Sequence, residues 1–169
     1  MDAPDLLAVR RAALTAAVVV ARVTQPYRVR GRRAPAPAGQ LDEAWIAVVN
    51  TLRGDGLPLI VGGRSSGARV ACRTARALDA AGIVALAFPL HPPGKAGDPT
   101  KSRAAELLTG LPTLVVNGDR DPFGVPSPGP GIELFLRPGE GHDLRREPAA
   151  IGTAVVGWLS RHGWADASL

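Results

Sequence analysis

Apolar runs that carry β-branched residues on both faces alternate along this chain with segments of helical period, and that alternation narrows the possible folds more than any other feature. Residues 17–23, 58–62, 83–88, 113–117 and 132–136 read as strands. A strand that is apolar on both faces must be covered on both, as in a parallel sheet held between helices. Helical spacing appears over 5–16 (Leu6, Leu7, Val9, Ala13, Leu14, with Asp5 as N-cap) and over 41–53 (Leu41, Trp45, Val48, Val49, Leu52), the latter stopped by Gly54-Asp55-Gly56. A helix is expected from Ser66 to Ala81, with Ala68, Ala71 and Ala75 on a sheet-facing side, and a short one from Ser102 to Leu108. A last helix starts at Pro148, carries Ile151, Val155, Trp158 and Leu159 on one stripe, and stops at Gly163. Gln25 to Gln40, rich in Pro, Arg and Gly, reads as a long loop. The expectation is an α/β fold, with one domain over 1–169 and a mostly parallel sheet flanked by helices.

Composition closes off several functions. Aromatic residues make up 4%, too few for a stacking surface that reads nucleic-acid bases. The net charge of +5 comes mostly from dispersed arginines, Lys95 and Lys101 being the only lysines, so nucleic acid is not an expected partner. The exception is the cluster Arg28, Arg30, Arg32 and Arg33, which is either a solvated loop or an attractor for a carboxylate or phosphate. Cys72 is the single cysteine, which rules out an intrachain disulfide and a cysteine-based metal site and suits a reducing cytoplasm. Arg10-Arg11 before the apolar run Ala12 to Ala21 imitates an export signal. Asp2 and Asp5 ahead of it, and no small-residue cleavage site after it, argue for a cytoplasmic protein. No apolar run approaches the roughly 20 residues of a membrane span, so no membrane partner is expected.

The chemistry-bearing pattern is Gly63-Arg64-Ser65-Ser66-Gly67, a G-x-S-x-G run between a strand and a helix. That context places a serine at the tip of a tight turn. Gly63 and Gly67 are expected to keep the turn clear, a side chain at either colliding across it, and the helix N-terminus favours developing negative charge. The plain alternative is that Ser65 or Ser66 caps the helix. A serine nucleophile needs a base and an acid that orients it. Asp119 and Asp121 follow the strand that ends at Asn117-Gly118. Asp121, with its bend fixed by Pro122, is preferred as the acid, and Asp119 is expected to bond local turn amides; the alternative leaves both as turn residues. His142, in Gly139-Glu140-Gly141-His142-Asp143 past the last strand, is the expected base, histidine being the residue type suited to proton shuttling. His91 is expected to wall the pocket and His162 to cap carbonyls. In a parallel sheet ligands sit beyond the carboxyl ends of the strands, where the loops holding Arg28 to Arg33, Ser65, His91, Asp121 and His142 all emerge.

Three stretches carry a resemblance: Gly62-Gly63-Arg64-Ser65-Ser66-Gly67-Ala68-Arg69-Val70-Ala71, Phe88-Pro89-Leu90-His91-Pro92-Pro93-Gly94, and Gly118-Asp119-Arg120-Asp121-Pro122-Phe123-Gly124. In this order they resemble small bacterial α/β-hydrolase-like proteins, which are similar to dienelactone hydrolases and to the hydrolase-like domain of the third regulatory subunit of the NSL chromatin complex and its testis-expressed relatives. The resemblance covers about residues 2 to 161. It implies an α/β-hydrolase fold with Ser65, Asp121 and His142 at the catalytic triad positions and the Ser66 N–H as an oxyanion donor. Proteins of this kind begin with a strand and a His-Gly-rich loop that gives the second oxyanion donor. A sequence opening Met1-Asp2-Ala3-Pro4 lacks both, so it reads as N-terminally truncated relative to the family. The absent strand would lie between 17–23 and 58–62. A start assigned too late is expected rather than a degenerate, inactive form.

The expected function is a serine hydrolase acting on a small ester, thioester or lactone. Its expected partner is a small-molecule substrate, with no metal and no organic cofactor. Arg28, Arg64 and His91 are expected to bind that substrate. The alternative is a non-catalytic hydrolase-like interaction module that uses the same sheet edge; the resemblance also takes in eukaryotic members whose role is scaffolding.

Overall fold

The alternation of strand and helix resolves into one sheet whose strand order follows the chain. The computed structural model describes residues 3–54, 56–96 and 98–166. Strands β1 (Ile60–Arg64), β2 (Gly82–Leu86), β3 (Thr113–Gly118) and β4 (Ile132–Arg137) are parallel and lie in the order β1-β2-β3-β4. Successive side chains point to opposite faces, and both faces are buried. Val61, Ile83, Ala85 and Val115 join one core with α3 (Ala38–Leu52) and α4 (Ser66–Thr74), through Val49, Ala68 and Ala71. Val84, Leu86, Leu114 and Val116 join a second core with α5 (Pro148–Arg161), through Ile151, Val155 and Trp158. Helix α1 (Pro4–Thr15) packs on α5 so closely that a Cβ at Gly152 would lie 2.8 Å from the Ala8 carbonyl oxygen. All strands therefore point their carboxyl ends to one edge.

The structure departs from the sequence reading in several places. The stretch 17–23 forms no strand: it leaves α1 through a turn at Ala17 (φ +57) and continues as irregular chain, with Val19 83% exposed. A strand exists only through its ladder, and among the described residues no strand pairs with this segment; β1 is an edge strand of the sheet, paired with β2. The loop expected over 25–40 contains a short helix, α2 (Pro26–Val29), whose Tyr27 is buried with Leu41 and Val70. Helix α4 ends at Thr74, earlier than expected, and turns carry the chain to Ala80. The region of the expected helix at 102–108 is a single 3-10 turn, Ala104–Leu107, held by Glu106 accepting from Arg69 (2.9 and 2.5 Å). Ala3, not Asp5, is the N-cap of α1. The expected stop of α3 includes Asp55, which lies outside the described residues.

Cys72, on the sheet-facing side of α4, is buried in the first core. Burial, together with Glu106 nearby, pushes its thiol up to about 12. Since the thiolate is the reactive species, the folded protein should resist iodoacetamide at about pH 8 and react fully once unfolded in guanidinium. Mass spectrometry of the adduct checks this, and alkylation as fast in the folded as in the unfolded state would contradict the placement.

Candidate active site

The site begins with a backbone that few residues accept. Ser65 joins β1 to α4 with φ +54 and ψ −115, a conformation that costs a non-glycine residue about 1–3 kcal/mol. The turn is tight because Gly63 faces Gly67 across it: a Cβ at Gly63 would lie 2.5 Å from the Gly67 carbonyl carbon and 2.9 Å from the Ala68 nitrogen. The Ser65 N–H donates to Leu86 O (2.9 Å), which pins the turn to β2. Although Ser65 stands at the N-cap position of α4, its side chain makes no cap hydrogen bond. It reaches instead to His142, with Oγ 2.8 Å from Nε2. The capping alternative is thereby excluded for Ser65. Ser66 opens the helix, so its N–H has no intrahelical acceptor and points from the positive end of the dipole.

His142 arrives from the far side of the sheet. Its Nδ1 lies 2.8 Å from Asp121 Oδ2, which makes Ser65, His142 and Asp121 one continuous hydrogen-bond chain drawn from three separate loops. The Asp121 carboxylate is buried and fixed from two further sides: Oδ1 accepts from the Phe123 N–H (2.9 Å) and Oδ2 from Asn117 Nδ2 (3.2 Å). The Phe123 ring packs edge-on against the His142 ring, with centroids 4.5 Å apart. A carboxylate on Nδ1 fixes the tautomer that carries its proton there and leaves the Nε2 lone pair facing the serine hydroxyl. The arrangement can accept a proton from Ser65 and return it to a leaving group.

The loop that delivers His142 is itself anchored. Glu140, almost fully buried, accepts from the Arg146 N–H (3.2 Å) and the Glu147 N–H (3.4 Å) ahead of α5, and its carbonyl accepts from the Arg120 N–H (3.0 Å). The loop crosses directly over Gly118 at the end of β3, where any Cβ would overlap the Glu140 carbonyl. Asn117, Phe123, Gly118 and Glu140 were not singled out by the sequence reading. The available signal was local: a Gly immediately before Asp119, and an acid set between two glycines.

Other expected residues fall elsewhere. Arg64 is bonded within the protein: Nε donates to Asp5 Oδ2 (2.8 Å) and a terminal nitrogen to the His142 carbonyl (2.9 Å). Asp119 reaches beyond its own turn and accepts from the Gly139 N–H, 20 residues on (2.7 Å). Gly67 is not needed for clearance, since a Cβ there meets nothing within 4 Å; the collision belongs to Gly63 alone. His91 is buried beside the site, its N–H donating to Phe123 O (2.8 Å) and its Nδ1 without a partner. Arg28 lies over the Tyr27 ring (5.3 Å). The neighbouring cleft, about 450 Å³, lies between α2 and α3, is lined by Tyr27, Arg30, Arg32 and Glu43 among others, and does not include Ser65 in its lining. His162 caps α5, with Nδ1 2.9 Å from Trp158 O. Among the described residues no group of three or more His, Cys, Asp or Glu is placed to hold a metal ion, and no helix is long and apolar enough to cross a membrane.

Comparison with known proteins agrees with this architecture. A family described as an alpha/beta hydrolase domain matches residues 1–128, a span that holds Ser65 and Asp121 and ends before His142. Among solved structures, a lidless α/β serine hydrolase from Xanthomonas campestris is 20% identical, with 100% of this chain and 77% of that one covered at a TM-score of 0.72. An α/β hydrolase-superfamily protein from the same organism is 16% identical over 95% of this chain and 91% of that one (TM-score 0.70). A serine hydrolase homologue from Coxiella burnetii is 14% identical over 93% and 76% (TM-score 0.67). These identities speak for the fold. No curated protein matches the sequence.

Proposed function

The chain belongs to the alpha/beta hydrolase domain family, and from that membership we propose that it is a serine hydrolase acting on a small ester, thioester or lactone. The observation that carries this reading is the unbroken chain from Ser65 Oγ through the His142 imidazole to the buried Asp121 carboxylate. Ser65 Oγ attacks the acyl carbon while His142 Nε2 takes its proton, and Asp121 stabilises the imidazolium without taking the proton itself. The carbonyl oxygen becomes an oxyanion facing the Ser66 N–H. As the tetrahedral intermediate collapses, the bond to the leaving oxygen or sulfur breaks and His142 returns the proton to it. Water, deprotonated by the same imidazole, then cleaves the acyl-serine ester, releasing a carboxylic acid and restoring Ser65.

Substrate contact is assigned to His91, whose backbone N–H bonds the Phe123 carbonyl while the Phe123 ring packs on His142. The resemblance to dienelactone hydrolases adds lactones to the substrates worth testing. The reading is tested with a panel of p-nitrophenyl esters, acyl thioesters and small lactones at neutral pH. Turnover is expected, with Asp121→Asn lowering kcat by about 10⁴-fold because the imidazole loses its oriented tautomer. Failure of the wild-type protein to hydrolyse any member of the panel would count against it.

A further inference from the structure

Arg64 occupies the variable position before the serine, where a side chain has no prescribed task, yet it is committed inside the protein on both ends of its guanidinium. Nε donates to Asp5 Oδ2 (2.8 Å) and a terminal nitrogen donates to the His142 carbonyl (2.9 Å). Asp5 is fully buried in the first turn of α1, and its other oxygen accepts from the Leu6 N–H (2.9 Å). Three chain segments therefore meet at one cation: α1, the residue covalently preceding Ser65, and the backbone of His142 itself. We propose that Arg64 and Asp5 are positioning residues that fix the His142 imidazole relative to Ser65, Asp5 acting through Arg64 and Arg64 through the His142 carbonyl.

Two physical arguments favour this over a merely stabilising ion pair. A buried pair is weak evidence for stability because desolvation offsets its attraction, and burial raises the Asp5 carboxyl above its ordinary value despite Arg64 beside it. The acid is thus costly to keep charged where it is. The contact it supports is instead geometrically specific: the carbonyl held by Arg64 belongs to the residue whose ring must stay within hydrogen-bond reach of both Ser65 and Asp121. A misplacement of about 1 Å at such a site costs on the order of 10²-fold in rate.

The kinetic arm of the test rests on the serine-hydrolase reading, so a second arm is chosen that needs no turnover. NMR of the resting protein follows the low-field proton shared by His142 Nδ1 and Asp121, together with the imidazole titration. Arg64→Met is expected to broaden or lose that resonance and to lower kcat by about 10- to 100-fold with KM changed less than about 3-fold. Arg64→Lys, which can reach one partner but not bridge both, should fall between Arg64→Met and wild type. Asp5→Asn should change both readouts in the same direction, and its combination with Arg64→Met should be no worse than Arg64→Met alone, because Asp5 acts only through the arginine. Thermal melts establish that each variant is folded; if Arg64→Met is not, Asp5→Asn, which keeps side-chain size and an acceptor oxygen, carries the test. An unchanged low-field resonance and titration in the folded variants would overturn the positioning role, whatever the activity. A resonance that responds in a protein without hydrolytic activity would leave the positioning role standing and overturn the hydrolase reading instead.

Discussion

Replacing Ser65 with alanine is expected to lower kcat/KM for any ester the protein turns over by about 10⁴- to 10⁶-fold. The size follows from the division of labour in the hydrogen-bond chain. In the proposed mechanism His142 and Asp121 only prepare and receive a proton, and without Oγ there is no atom to form the acyl bond. Stability should change by no more than about 1 kcal/mol, the net worth of one hydrogen bond. Alanine keeps the Cβ that the turn at φ +54 already accommodates, and the backbone bond from residue 65 to Leu86 O is untouched. Parallel kinetics and thermal melts check both halves. A Ser65→Ala protein that keeps esterase activity would place any chemistry elsewhere.

The second large effect is expected at a residue with no side chain. Gly118→Ala introduces a methyl group into the space filled by the Glu140 carbonyl, with the Gly141 carbonyl 2.7 Å away on the same side. Both obstacles are backbone, and the loop that carries them is tied down by Glu140 and Asp119, so it has little room to yield. Overpacking of this kind costs about 1–3 kcal/mol and more where backbone must move. We expect about 3 kcal/mol or more from Gly118→Ala, with loss of activity as His142 is carried away from Ser65. Gly67→Ala is the opposite case: beyond its own turn of helix the added carbon meets nothing within 4 Å, and alanine is favoured over glycine in a helix by about 0.5–1 kcal/mol. That variant should melt at or above the wild-type temperature. Equal melting of Gly118→Ala and wild type would contradict the crossing of the loop over β3.

These two glycines show where sequence reading succeeds and where it ends. Runs such as Ile83 to Leu86 and Leu114 to Val116 are legible because apolarity on both faces leaves only a covered sheet as a solution. The 17–23 run has the same composition and forms no strand, because a strand needs a neighbour and no local pattern can say whether one is present. The order Ser65, Asp121, His142 suffices to single out three residues that the fold brings into one hydrogen-bond chain. What surrounds them is tertiary. Asp5 looks like a helix cap in one dimension and is the buried anchor of Arg64 in three. Arg64 itself sits at a position where the motif constrains nothing, so its grip on the His142 carbonyl leaves no trace in the sequence. Gly63 and Gly67 look equivalent in the pentapeptide, yet only the first faces backbone across the turn.

The central claim is that Ser65 is a nucleophile activated by His142. The measurement that meets it most directly is intact-mass analysis and peptide mapping after exposure to a fluorophosphonate probe, which reacts with activated serines and requires no knowledge of the substrate. The prediction is one adduct per chain, located on Ser65, formed slowly or not at all in Asp121→Asn and absent in Ser65→Ala. A folded wild-type protein that takes up no probe, or takes it up equally after Ser65→Ala, would contradict it.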